Sequence, residues 1–233
     1  MQVDIYDFDK TIVPFDSGTL FFVYCMVHYP WCMIILPVVA VAGLLMGLGI
    51  IRFTQFKRIC YMFVPLIPRE KAVKKFWDKY IDRVHPWFKD RQRYSIVISA
   101  SPDFLLWDIA ERLGFDELIA TRYNLKTGII IGENCRGEEK LKRLFELHKP
   151  EDLEVVDVYS DSYKHDRFMF SLATNQCYHI EKGKRVAFNF NDVYSKLAAI
   201  TAADTEEIAD AMTRTASIAN SAGMEFETTS AFL

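Results

Sequence analysis

Residues 19–51 contain no Asp, Glu, Lys or Arg, and no other feature constrains the fold of this 233-residue chain as tightly. Within it, Trp31 to Ile51 is a run of 21 uncharged, almost wholly apolar residues, long enough to count as a transmembrane candidate. Pro30 and Pro37 interrupt the segment, and Gly43, Gly47 and Gly49 thin it. A basic block follows directly. Between Arg52 and Arg93, 12 Lys/Arg stand against 4 Asp/Glu, so the overall net charge of −3 conceals a strongly acidic remainder. Such a block suits phosphate groups or anionic lipid, or is a solvated helical face. It carries no nucleic-acid-binding motif, so nucleic acid is not expected as a partner.

Outside this segment the chain reads as an ordinary globular protein, 51% hydrophobic and 25% charged. Its length suffices for one domain with an inserted subdomain. Residues 3–8 read as a buried strand, and the first residues, with Asp4, Asp7 and Asp9, do not read as a secretory signal. Residues 69–84 form a basic helix with Ala72, Val73, Phe76, Tyr80 and Ile81 on one side, and Pro86 marks the return to the main domain. Strands are then expected at 94–98, 118–123, 128–131, 153–159, 176–180 and 185–188. Helices alternate with them: 102–113, with Ser101 as N-cap and Pro102 at the first position, then 138–147 and a helix including 168–173. This alternation predicts an α/β domain with a mainly parallel sheet, whose ligands bind at the carboxyl ends of the strands. Those ends carry Asp7, Ser99 and Asp161. The tail, Thr201 to Leu233, changes to Ala, Thr, Ser and acidic residues and reads as a peripheral helix with a flexible end. The five cysteines form no Cys-x-x-Cys pair and read as reduced thiols of an intracellular protein.

Four polar features fall at strand ends or helix starts. They are Asp7-x-Asp9-x-Thr11, Ser99-Ala100-Ser101-Pro102 after an apolar run, Lys140 near the start of a helix, and Asp161-Ser162 with Asp166 shortly after. Each alone has an ordinary reading: a turn, a helix cap, an exposed lysine, a loop residue. Together they place carboxylates, hydroxyls, a helix N-terminus and a lysine where one anion could meet them all.

With these motifs the chain resembles phosphatases of the haloacid dehalogenase superfamily, in the phosphoserine-phosphatase-like subclass, over roughly residues 1–190. The resemblance implies a Rossmann-like parallel-sheet core formed by residues 1–17 and 86–198, with a helical cap, 18–85, inserted between the first and second motifs and a tail at 199–233. It implies that Asp7 attacks phosphorus and forms an aspartyl-phosphate, and that Asp9 protonates the leaving alcohol and then activates water. Ser99 and Ala100 would bind the phosphoryl oxygens, with Lys140 neutralising the charge between Asp7 and phosphate. Mg²⁺ would be held by the Asp7 carboxylate, the Asp9 backbone carbonyl and Asp161, with Asp166 holding its water shell. Physical chemistry agrees, because a carboxylate and a phosphate dianion repel each other and need cations between them.

Two departures stand out. The fourth motif usually places its second acid four residues after the first. Here His165 occupies that position and the acid, Asp166, follows it. His165 is read as a solvent-facing loop residue, with substrate contact as the alternative. The cap is also far more apolar than a soluble phosphoserine phosphatase needs. Because Asp7, Ser99 and Asp161 must meet, both ends of the cap emerge on one side of any membrane, and a single crossing by 31–51 is excluded. Two readings of 19–51 remain: a shallow hairpin in one leaflet, flanked by Arg52, Lys57 and Arg58, or the buried core or dimer face of the cap. Bacterial phosphatidylglycerophosphate phosphatases of this superfamily are similar in general pattern. The expectation is a Mg²⁺-dependent phosphomonoesterase acting on a phosphorylated lipid headgroup or amphiphile, cytoplasmic and peripheral at the inner face of the membrane. The alternatives are a cytosolic phosphatase of small metabolites and a catalytically silent, membrane-docked binding module.

Overall fold

The computed structural model describes residues 1–189, so the predicted tail, 199–233, and the end of the predicted core lie outside the described residues. Strand β1 (Gln2–Tyr6) enters first and is buried from Val3 onward. Helices follow: α1 (Ser17–His28), α2 (Leu36–Gly47), α3 (Phe53–Cys60) and α4 (Arg69–Tyr80). After the short α5 (Pro86–Lys89), β2 (Tyr94–Pro102), α6 (Asp103–Leu113) and β3 (Glu117–Thr121) continue the alternation. A two-stranded ribbon, β4 (Tyr123–Asn124) and β5 (Ile129–Ile130), leads to α7 (Glu138–Leu147), β6 (Glu154–Ser160) and α8 (Tyr163–Phe170), and β7 (Gln176–Glu181) and β8 (Lys184–Phe188) close the described chain.

The six-stranded sheet has the order β3-β2-β1-β6-β7-β8, parallel except for the antiparallel β8. β1 is central. The chain leaves it through the helices and returns beside it as β2, whereas β6 pairs on its other flank, so the ends of β1, β2 and β6 adjoin. Such a divergence of connections opens a crevice at the carboxyl edge of a sheet. β1 is buried on both faces: Val3 and Ile5 line one, and Asp4, paired with Arg93, and Tyr6 line the other.

Several elements differ from the sequence expectation. β1 stops at Tyr6 rather than residue 8, because the amides of Thr11, Ile12 and Val13 all converge on the Phe8 carbonyl. Lys10 takes a positive φ of 57° in that turn, an uncommon conformation for a residue with a Cβ. The expected strand at 118–123 divides into β3 and β4, and the last helix begins earlier, at Tyr163. Ser101 is not a helix cap. β2 runs on to Pro102, which is itself the N-cap of α6. The cause is a register shift between Ser99 and Pro102 against β3, a bulge that delays the helix and re-aims the serines.

The inserted helices are of two kinds. α4 buries Ala72, Val73, Phe76 and Trp77, and the Trp77 indole N–H donates to the Leu105 carbonyl on α6 at 2.7 Å. In α2 only Ala42 is buried. The segment Pro30–Gly47 is the one helical stretch among the described residues long and apolar enough to cross a membrane, and only 11% of it is buried. Of residues 19–51, α1 does bury Phe21, Tyr24, Cys25 and Met26, as a core of the cap would, whereas Pro30–Gly47 stays largely uncovered within the chain.

Candidate active site

The turn after β1 begins the site. The Asp7 amide donates to the Tyr159 carbonyl of β6 at 2.9 Å, extending the parallel pairing by one residue and fixing where the Asp7 carboxylate emerges. Thr11, fully buried, ties the same turn to the end of β6. Its hydroxyl lies 3.3 Å from Asp7 Oδ2 and accepts the Asp161 amide at 3.0 Å.

Lys140 arrives from α7. Gly137, at the N-cap, has φ 61° and ψ −130°, a conformation only glycine adopts without strain. The chain can thus swing the helix start toward the sheet. Lys140 Nζ lies 2.5 Å from Asp7 Oδ1 and 2.8 Å from Asp166 Oδ1, with all three side chains largely buried. The second Asp166 oxygen accepts the Ser160 hydroxyl. Burial alone would lower the Lys140 pKa, but the charges of Asp166 and Asp7 outweigh it and hold the ammonium charged. Burial raises the Asp7 carboxyl to about 8, with the Asp166 and Asp9 carboxylates adding to the rise and Lys140 opposing it.

Asp9 is oriented differently. Its Oδ1 accepts the Ser17 amide at 2.7 Å and its Oδ2 accepts the Ser101 hydroxyl at 2.6 Å, while Ser17 Oγ donates to Ser101 Oγ at 3.0 Å. Burial, followed by the charge of Asp16, raises its pKa. A carboxyl held by two donors in a desolvated place suits proton transfer.

Ser99 lies behind this surface. It is fully buried and its Oγ accepts the Ser101 amide at 3.0 Å, whereas Ala100 and Ser101 line the cavity. Ser99 itself is not among the residues that line the cavity. Asp161 is half-buried and lines the cavity, and burial followed by the Asp166 charge raises its pKa. His165 sits on α8 rather than in a loop, lines the cavity, and its Nε2 lies 2.6 Å from the Arg136 guanidinium.

The cavity is about 760 Å³. Its floor is Asp7, Asp9, Lys140, Asp161 and Asp166, and its opposite wall is Phe22, Val39, Phe53, Phe56 and Tyr61 from the inserted helices. Asp16, Lys57 and Arg136 stand between. Of these lining residues, Ser101, Lys57 and Arg136 were not singled out for the site from sequence. Lys57 did carry a signal. Phe53, Phe56, Lys57 and Cys60 follow the i, i+3, i+4, i+7 spacing of one helical face, and a lone lysine on such an apolar face needs a reason.

No three Asp, Glu, His or Cys side chains among the described residues form a ready-made metal cage. The Asp9 carboxylate is taken by Ser17 and Ser101, so only its backbone carbonyl is left for a ligand role. The remaining donors still fit Mg²⁺, which binds through one or two carboxylates and retains waters. Four carboxylates share the floor with one buried ammonium; burial raises Asp7, Asp9 and Asp161, and neighbouring carboxylate charges add to the rise.

Comparison with known proteins places this geometry. Protein CicA of Caulobacter vibrioides is 35% identical over 94 residues, which is 38% of this chain and 41% of that protein, so the match spans less than half of either. A crystal structure of a protein of unknown function from Bordetella pertussis Tohama I aligns with a TM-score of 0.57 at 19% identity, covering 69% of this chain and 82% of that one. A probable phosphoserine phosphatase from Vibrio cholerae aligns with a TM-score of 0.55 at 16% identity, covering 78% of this chain and 57% of that one. These structures share the α/β fold. A family model for haloacid dehalogenase-like hydrolases matches residues 5–171, from β1 through α8, and the chain belongs to that family.

Proposed function

We propose that the protein is a Mg²⁺-dependent phosphomonoester hydrolase that works through an aspartyl-phosphate on Asp7 and acts on a phosphorylated lipid headgroup or similar amphiphile at a membrane surface. The observation that carries this reading is the two-sided cavity: a buried carboxylate–lysine floor facing a wall of Phe22, Val39, Phe53 and Phe56.

An Asp7 oxygen attacks phosphorus, and the bond from phosphorus to the leaving oxygen breaks while Asp9 gives that oxygen a proton. In the second step Asp9 takes a proton from water, the water oxygen bonds to phosphorus, and the Asp7–phosphorus bond breaks to release phosphate. Lys140, 2.5 Å from Asp7, supplies positive charge where the carboxylate and phosphoryl charges meet. The Asp7 and Asp161 carboxylates and the Asp9 carbonyl would hold Mg²⁺, which neutralises the same charge when bound. Asp166 positions Lys140, and Ala100 and Ser101 line the cavity beside the place of the phosphoryl group.

The membrane part of the reading rests on exposure. Ile34 is 76% exposed, and Leu44, Leu48 and Ile50 are each about two-thirds exposed. Contiguous apolar surface of this kind marks an interaction face. The His85 amide donates to the Ile12 carbonyl at 2.9 Å, so the two ends of the inserted helices meet, and in this reading the exposed segment lies along a membrane surface rather than crossing it. Of the basic residues expected beside it, Arg52 is left for headgroups, whereas Lys57 and Arg58 are engaged by the core carbonyls of Ala100 and Gly132.

The test is a phosphatase screen with Mg²⁺, with and without vesicles containing anionic lipid, comparing the wild type with Asp7→Asn. Turnover of long-chain phosphorylated amphiphiles above their short-chain counterparts, lost in the variant, supports the reading. Preference for small polar phosphates with no vesicle binding identifies a soluble metabolite phosphatase. Vesicle binding with no turnover identifies a silent docking module.

A further inference from the structure

Lys57 lies on the apolar face of α3, yet its ammonium points into the core. Nζ donates to the Ala100 carbonyl at 2.5 Å and to Asn134 Oδ1 at 3.1 Å. The Ala100 carbonyl and the Ser101 amide belong to one planar peptide unit. That amide donates to Ser99 Oγ at 3.0 Å, and the Ser101 hydroxyl donates to Asp9 Oδ2 at 2.6 Å. A continuous chain of bonds therefore runs from an inserted helix, through one rigid peptide, to the carboxyl assigned as acid and base. The other Asp9 oxygen is held by the amide of Ser17, the first residue of α1. Both oxygens of Asp9 are thus referred to the inserted helices, one at their root and one through Lys57.

We propose that Lys57 is a positioning residue through which the seating of the inserted helices sets the orientation of Asp9. The proposal rests on the phosphatase reading above. The neighbouring Arg58 donates to the Gly132 carbonyl at 2.9 Å, so α3 is fastened to the core at two consecutive residues. Only Lys57 is fastened to the turn that carries Ser101. Burial lowers its pKa to about 8 against the attraction of Asp9 and Asp16, a cost an exposed lysine would avoid. Thr121 Oγ1 also donates to the Ala100 carbonyl at 2.7 Å. It is the core's own anchor, and the effect of Lys57 is accordingly a partial one.

The test uses two substrates of nearly the same shape, phenyl phosphate and 4-nitrophenyl phosphate. Phenolate leaves poorly without a proton, whereas nitrophenolate needs little help. Loss of acid function therefore lowers kcat/KM for the first more than for the second. A residue that only supports the fold, or only binds substrate, lowers both alike. In the full-length protein with Mg²⁺, Lys57→Met is expected to lower the ratio of kcat/KM (phenyl over nitrophenyl) by about fivefold, a fraction of what a positioned acid supplies. Lys57→Arg, which keeps donors on a long stem, brings the ratio back to within about twofold of wild type. Ser101→Ala shows the same signature, more strongly, and the double variant goes no further than Ser101→Ala alone, because the two act in series. Circular dichroism checks each variant for folding. Should Lys57→Met not fold, Lys57→Gln takes its place, with the same ratio expected to fall.

Equal losses on both substrates, or additive losses in the double variant, overturn the proposal. If the wild type hydrolyses neither substrate, the phosphatase reading itself fails and this inference with it, an outcome distinct from an unchanged ratio.

Discussion

The floor of the cavity and the helical segment Pro30–Gly47 depart from the ordinary rule of protein interiors in opposite directions. The floor buries ionisable groups: Asp7, Lys140 and Asp166 are each at most 7% exposed. The segment leaves apolar groups outside, with 11% of it buried. Both arrangements are expensive in water. The difference lies in how much of the expense the chain offsets by itself. On the floor, Lys140 pairs with two carboxylates within 2.8 Å, and the remaining negative charge suits a cation and a phosphate group. Along Pro30–Gly47 the described chain supplies almost nothing, and the surface fits an apolar phase. α4 is the internal control. It has the same length as α2, 12 residues, yet it buries Phe76 and Trp77 and turns its lysines outward.

The largest expected effect breaks the floor alone. Asp7→Asn removes the nucleophile while keeping the shape, and kcat should fall by at least about 10³-fold. The protein should remain folded and still bind vesicles. Retained turnover of 4-nitrophenyl phosphate would remove Asp7 from the mechanism. Next in size is Lys140→Met, which takes the counter-charge from two buried carboxylates. At pH 8 and without metal, urea unfolding should show a loss of about 3 kcal/mol, the range found when one partner of a buried pair is removed. A loss below about 1 kcal/mol would mean that the floor tolerates its charges without lysine.

The outer face responds in the opposite sense. Ile34, Leu44 and Leu48 touch mainly solvent, so replacing them together with Ser should change folding stability by less than about 0.5 kcal/mol per site. Each lost apolar side chain should nonetheless weaken partition into anionic vesicles by about tenfold, from the transfer energy of its buried area. Trp77→Ala on α4 should reverse the pattern, costing about 3–5 kcal/mol of stability. Co-sedimentation and urea titration on the same samples check both. If the triple Ser variant unfolds, the segment is covered by protein and the contrast drawn here fails.

Sequence made the floor legible and left its supports obscure, for a physical reason. Asp7, Lys140 and Asp161 stand at ends of periodic apolar runs or at a helix start, signals contained within a few residues. Ser101 misleads by the same local logic. Ser-Pro before an apolar periodic run is a good N-cap, but the bulge opposite Thr121 is a property of strand pairing, and it hands the serine to Asp9 instead. Lys57 meets Asn134 across a gap of 77 residues, and no short motif records the pairing. The apolar segment was legible as composition. That it stays exposed required the helices to be placed.

The smallest effect is a pH slope that belongs to the floor. The folded-state pKa of Asp7 is about 8, above the ordinary carboxylate value, mainly because the site is desolvated. Between about pH 4 and 8 the folded protein therefore binds more protons than the unfolded chain, and stability falls as pH rises through this window. Asp9 and Asp161, also raised, contribute with the same sign. Lys57, lowered to about 8, acts only above that value, where release of its proton makes stability rise again. In chelator, the urea midpoint of the wild type should decline more steeply from pH 5 to pH 8 than that of Asp7→Asn, which has lost the largest raised group. Saturating Mg²⁺ should flatten the wild-type curve, because a divalent cation beside Asp7 and Asp161 favours their charged forms. Parallel curves for the two proteins would show that Asp7 is ionised without help, and that the excess charge of the floor is settled by the chain's own lysines rather than by a metal.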